Sequence, residues 1–145
     1  MKLTKNVGRI DHVLITVFPG NFEKCIDQLS RSLGVIFEPA LRRDDLGVVS
    51  AISLESGLEV LAPTREEGPF WERIQRRGEG HVSIIFGVDD FEEARRRAMD
   101  AGIAVGNEIG LVGDEPWGRH FSVFREARLG SICGATIILG QIEPK

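Results

Sequence analysis

The chain contains three histidines, and two of them start apolar runs. His81 opens "HVSIIFGV", with Ser83 two residues later on the same side of any strand formed there. A histidine so placed is a metal ligand, a polar group in a binding pocket, or a residue at the mouth of a strand. His12 sits in "RIDHVLITV", where alternation puts His12, Leu14 and Thr16 on one face and Val13, Ile15 and Val17 on the other. A neutral imidazole can accept or donate a substrate proton near physiological pH. Glu59 lies between Leu58 and Val60 in "LEVLAP". In an apolar pocket it would serve as a general base; paired with His12 it would hold the imidazole in place. The residues leave both readings open. Ser83 can hydrogen-bond a substrate carbonyl or simply make room. Arg119, His120 and Arg125, on or beside "RHFSVFREA", offer partners for a carboxylate or phosphate, and Trp117 in "PWG" serves as a loop anchor at the binding site.

These residues need strands and helices to position them. "RIDHVLITV" is followed by a helix, "FEKCIDQLSRSLG", with Phe22, Cys25, Ile26, Leu29 and Leu33 inward, Asn21 as its cap and Gly34 as its end. Strands are expected at "VIFEPAL", "GVVSAISLE" and "LEVLAP", with "DDLG" and "ESG" as turns. A short helix, "GPFWERIQRRG", comes next. The order then starts again: strand "GHVSIIFGV", helix "DDFEEARRRAMDAG", and strands "IAVGNEI", "RHFSVFREA" and "SICGATIILGQ". Strand, helix, strand, strand, strand occurs twice. The expectation is a single α+β domain over residues 1–145, built from two βαβββ modules at about 8–63 and 79–141. Together they would form a curved eight-stranded sheet with helices outside and a ligand cup within.

Bulk composition narrows the classes. At 145 residues the chain can bury a core, and 42% apolar with 28% charged residues is ordinary for a globular protein. A net charge of −4 gives no general attraction to phosphate backbones, so nucleic acid is not expected as a partner. No run approaches the ~20 apolar residues that span a bilayer, and the start lacks the apolar core of a secretory signal. With only Cys25 and Cys133, read as buried thiols rather than a bridge, a cytoplasmic location is expected. The glycines of "GLVGDEPWG" form no phosphate cradle, because neither a following helix nor a Lys-Ser/Thr pair appears.

Three stretches carry a family resemblance. "RIDHVLITV" with a helix ending "SLGV", then "GEGHVSIIFGVDDFEEARRRAMDAGI", then "DEPWGRHFSV", resemble the vicinal oxygen chelate superfamily, and its methylmalonyl-CoA epimerase-like branch most. That superfamily includes glyoxalases, extradiol dioxygenases and bleomycin-resistance proteins. The resemblance implies metal-ligand positions at His12, Glu59, Ser83 and Ile138, of which only the first two carry ligating side chains. His12, Glu59 and His81 would instead make two histidines and a carboxylate, a set suited to non-haem iron. Two residues along a strand is roughly 6.6 Å, however, against a metal–nitrogen bond of about 2.0–2.1 Å. Only a bulge at Gly78 or Gly80 would close that difference.

The expected site is therefore a cup with no cofactor. His12 and Glu59 are its catalytic pair, and His81, Ser83, Trp117, Arg119, His120, Arg125 and Ile138 contact the substrate. The expected activity is that of a metal-independent isomerase, epimerase or lyase moving a proton next to a carbonyl. A metal-dependent epimerase or glyoxalase-type enzyme, with a divalent ion on His12, Glu59 and His81, is the first alternative. A protein that sequesters a small molecule, as in bleomycin resistance, is the second. A homodimer is expected because exposed strand edges in such folds meet a partner.

Overall fold

The computed structural model describes residues 5–110, 116 and 118–145. Strand β1 (Arg9–Thr16) passes through a 3-10 turn (Pro19–Asn21) into helix α1 (Phe22–Leu33), followed by β2 (Leu41–Arg43), β3 (Val48–Ser53) and β4 (Leu58–Pro63). Helix α2 (Gly68–Arg77) precedes β5 (His81–Gly87), α3 (Phe91–Asp100), β6 (Val105–Gly110), a second 3-10 turn (Gly118–His120), β7 (Phe121–Leu129) and β8 (Thr136–Pro144). The eight-stranded sheet has the order β2-β3-β4-β1-β5-β8-β7-β6. The α+β class and the doubled strand–helix–strand–strand–strand order are those predicted. None of the helices among the described residues is long and apolar enough to cross a membrane.

The chain divides into two compact units, Leu14–Val82 and a second made of the residues up to Val13 with Ser83–Lys145. The units do not coincide with the two sequence copies: β1 and β5 each contribute residues to both.

In the unit Leu14–Val82, the sheet's period of two and the helix's period of 3.6 meet on one face. Phe22, Cys25, Ile26 and Leu29 of α1 pack on Ile15 and Val17, on Val49 and Ala51 of β3, and on Val60 and Ala62 of β4. Leu14, Thr16, Ser50, Ile52, Glu59 and Leu61 alternate with these and are buried on the other face. Leu33 corrects the predicted apolar stripe. It is the last residue of α1, beyond the contacts that end at Leu29, and is 62% exposed. The strand expected over "VIFEPAL" starts only at Leu41. Pro39 has no N–H to give to a ladder, Glu38 bonds through its N–H to Ile52 O, and Ile36 is 81% exposed.

Asn21 does not cap α1 with its side chain. Its Nδ2 donates to the Glu79 carboxylate at 2.9 Å, which also accepts from the Phe18 N–H at 2.8 Å. These bonds, the Asn21 amide first, hold the Glu79 carboxyl below its usual 4.5. A folded-state pKa below the unfolded value stabilises the fold above that value, and the stabilisation is lost as pH falls through the folded pKa. The Tm gap between the wild type and Glu79→Gln is therefore expected to narrow as pH drops below 4.5, read from thermal unfolding at stepped pH.

In the second unit, Phe91, Ala94 and Ala98 of α3 pack on Val105, on Ala127 and Leu129 of β7, and on Ile137 and Leu139 of β8. Asp90 caps the helix by accepting from Glu93 N, and Gln141 Oε1 accepts from Phe91 N. β5 runs parallel to β8 with Ser83 beside Thr136 and Ile85 beside Ile138. β7 runs antiparallel to β8 with Glu126 beside Gly140 and Arg128 beside Ile138. Since Ala127, Leu129, Ile137 and Leu139 face α3, alternation places Ser83, Ile85, Phe124, Glu126, Arg128, Thr136 and Ile138 on the opposite face.

The cysteines only partly match the buried thiols expected. Cys25 is half-buried in the α1 core, where burial, then the Glu79 charge, pushes its thiol pKa up. Cys133 is exposed, in a two-residue turn closed by the Ile132–Ala135 bridge. Cys133 (φ 53°) and Gly134 (φ 81°) both have positive φ, the type I′ pattern that favours Asn-Gly. Cys133→Asn is expected to raise stability by about 0.5–1 kcal/mol in urea titration, because asparagine enters the left-handed region at lower cost.

Candidate functional site

The face of the second unit opposite α3 carries His12 together with apolar side chains and with Glu126 and Arg128 of β7. His12 is only 3% exposed. Its Nδ1 lies 2.7 Å from Asp11 Oδ2, and Asp11 Oδ1 accepts from Asn6 Nδ2 at 3.1 Å. On the other side of the ring, Nε2 is 3.9 Å from Glu126 Oε2, inside ion-pair range and too long for a direct hydrogen bond. One imidazole thus lies between two carboxylates, one bonded to it and one within reach. Ser83 and Thr136, buried neighbours across β5 and β8, add two hydroxyls to the same face. Ile85, Ile138, Phe124 and Ile142 supply its apolar part, by the same alternation.

The N-terminal segment that carries Asn6 is held close to β5. Gly8 N donates to Gly87 O, and Lys5 pairs with Asp89 and Glu143. Gly87 is required for this approach, since a Cβ there would lie 1.8 Å from the Asn6 carbonyl oxygen.

The other predicted residues are distributed as follows. Glu59 is buried on β4 of the other unit. His81, the first residue of β5, is half-buried. Arg119 is exposed and His120 half-buried in the turn before β7, where the His120 carbonyl accepts from Lys145 N. Trp117 lies outside the described residues. Arg125 faces α3, stacks over Phe91 at 4.5 Å and pairs with Glu92 and Glu108. Its two acidic partners, ahead of solvent, raise its pKa and occupy its donors. The residues the sequence reading missed are Asn6, Asp11, Glu126 and Thr136.

No protein-family description and no curated protein matches the chain. Solved structures do. Methylmalonyl-CoA epimerase from Mycobacterium tuberculosis is 24% identical, with TM-score 0.71 over 100% of this chain and 93% of that one. A hypothetical protein from Bacillus halodurans is 25% identical, with TM-score 0.74 over 94% of this chain and 96% of that one. A variant of the Streptomyces coelicolor methylmalonyl-CoA epimerase, in complex with 2-nitronate-propionyl-CoA, is 22% identical, with TM-score 0.73 over 94% of this chain and 98% of that one. The chain has the vicinal oxygen chelate fold.

Of the four positions the resemblance assigns to ligands, Ser83 carries a neutral hydroxyl and Ile138 a hydrocarbon set beside Ile85. Among the described residues, His, Cys, Asp and Glu nowhere form a group of three or more that could hold a metal ion.

Proposed function

We propose that the protein is a metal-independent isomerase or epimerase that moves a proton at a carbon next to a carbonyl, with His12 as the acid–base group. The observation that carries this reading is the buried imidazole between Asp11 and Glu126. His12 Nε2 takes the proton from the carbon, and the C–H electron pair moves toward the carbonyl oxygen to give an enolate. The imidazolium formed is attracted by both carboxylates. The hydroxyls of Ser83 and Thr136 lie on the same face as His12 and are the donors we assign to the enolate oxygen. If the enolate turns over before His12 returns the proton, the product is the epimer; return to a neighbouring atom gives an isomer.

Two hydroxyls stabilise an oxyanion less than a dication does, so the substrate needs an acidic C–H bond. An acyl-CoA thioester has one. The fold shared with methylmalonyl-CoA epimerases, one of them bound to a CoA ligand, supports that class as the first to try. The test is exchange of the α-proton of methylmalonyl-CoA in D2O, followed by NMR. Exchange is expected to keep its full rate after exhaustive treatment with a strong chelator. Exchange that stops on chelation and returns with a divalent ion overturns the metal-independent mechanism. The homodimer expected from the sequence remains part of this proposal, with light scattering as its check.

A further inference from the structure

We infer that the carbon losing the proton carries a hydrocarbon group, and that the substrate class is a 2-alkyl acyl thioester rather than a dicarboxylic one. This deepens the proposed proton transfer and rests on it. Two rungs of the sheet follow one another on the face that carries His12. Ser83 of β5 stands beside Thr136 of β8, and Ile85 stands beside Ile138. The first rung offers hydroxyls and the second only hydrocarbon. Rungs on one face are roughly 6.6 Å apart. Thr136 is the first residue of β8, so the isoleucine rung is the one that continues this face along the strand. A thioester whose carbonyl oxygen meets the hydroxyls therefore sets a short group on its α-carbon against the isoleucines.

The hydrocarbon continues beyond that rung. Gly140 follows Ile138 on the same face, and a Cβ on it would lie 2.8 Å from Ile85 Cγ2 and 3.3 Å from Ile142 Cδ1. The glycine thus lets isoleucines of two strands converge over β8. Ile142 stands beside Phe124 of β7, and Ile85, Ile142 and Phe124 are all buried. This floor adjoins the candidate acid–base group. Glu126 is the β7 neighbour of Gly140 and reaches to 3.9 Å from the His12 ring.

Charge favours the same class. Arg128 stands beside Ile138, but Glu126 and the Asp11 carboxylate at the His12 ring outnumber it among the described residues around this face. With the ring neutral, negative charge is in excess. A carboxylate on the reacting carbon would have to leave water beside that excess. An alkyl group of the same size gains from the same move.

The matched probes are 2-methylbutanoyl-CoA and methylmalonyl-CoA, which carry an ethyl group and a carboxylate of similar size at the same position. Isothermal titration calorimetry, with coenzyme A alone as the baseline, gives the Kd of each. The wild type is expected to bind 2-methylbutanoyl-CoA at least about 10-fold more tightly than methylmalonyl-CoA. In Ile138→Lys, an ammonium on the isoleucine rung should shrink that ratio by about 10-fold or reverse it. Three results with the wild type alone overturn the inference: equal affinities, a preference for methylmalonyl-CoA, or 2-methylbutanoyl-CoA binding no tighter than coenzyme A. So does an Ile138→Lys variant that folds and keeps the wild-type ratio. If 2-methylbutanoyl-CoA is preferred but its α-proton does not exchange in D2O, the proposed proton transfer falls while the selection by the floor stands.

Discussion

His12→Gln is expected to lower the rate of α-proton exchange by about 10²–10⁴-fold, the usual contribution of a positioned general acid–base group. Glutamine is the informative replacement. Its amide can still donate to Asp11, so the buried carboxylate keeps a partner and the fold is spared the cost of an orphaned polar group. What glutamine lacks is a nitrogen that takes up a proton near neutral pH. The loss should therefore fall on kcat, with KM changing little. Arg125→Met is the matched control. Arg125 precedes Glu126 on β7 but faces α3, bound to Glu92 and Glu108, so this variant should exchange protons at close to the wild-type rate. If His12→Gln retains most of the activity, the proton is carried by another group and the reaction proposed for this face is wrong.

The largest expected change in stability comes from Gly87→Ala. The added methyl would lie 1.8 Å from the Asn6 carbonyl oxygen and 2.8 Å from its carbon, and both are backbone atoms that no rotamer change can move. The N-terminal segment must shift, breaking the bond from Gly8 to Gly87 and loosening the contact of Asn6 with Asp11. Overpacking of this kind costs about 2–3 kcal/mol, which for a chain of this size lowers Tm by roughly 6–12 °C. Thermal unfolding measures it. An unchanged Tm would show that the segment does not rest on β5 at Gly87.

The fold was legible because its signals are local. Asp90 ahead of "FEEARRRAM" and Gly102 after it bracket α3, and the alternation in "HVLITV" assigns the two faces of β1 correctly. Two errors have local causes as well: Pro39 shortens the strand read at "VIFEPAL", and Leu33 falls past the end of the packed stripe. The site was only half legible. Alternation marks His12 and Ser83 as sharing a side, and both are buried. It also puts Glu126 and Arg125 on opposite sides, but not which of them meets His12. That depends on the register of β7 on β8, a pairing between distant parts of the chain. Asp11 was overlooked for the opposite reason. A residue adjacent on a strand is expected to point away, and this one bends back to the ring.

Membership of the two compact units sets an order of events during synthesis. The stretch Leu14–Val82 has all its parts once Val82 leaves the ribosome. The residues up to Val13, made before that stretch, belong with Ser83–Lys145 and must wait for them, for a time on the order of seconds at usual translation speeds. Asn6, Asp11 and His12 are therefore translated well before the strands of their own unit, and the candidate site stays unassembled in the nascent chain until β7 emerges.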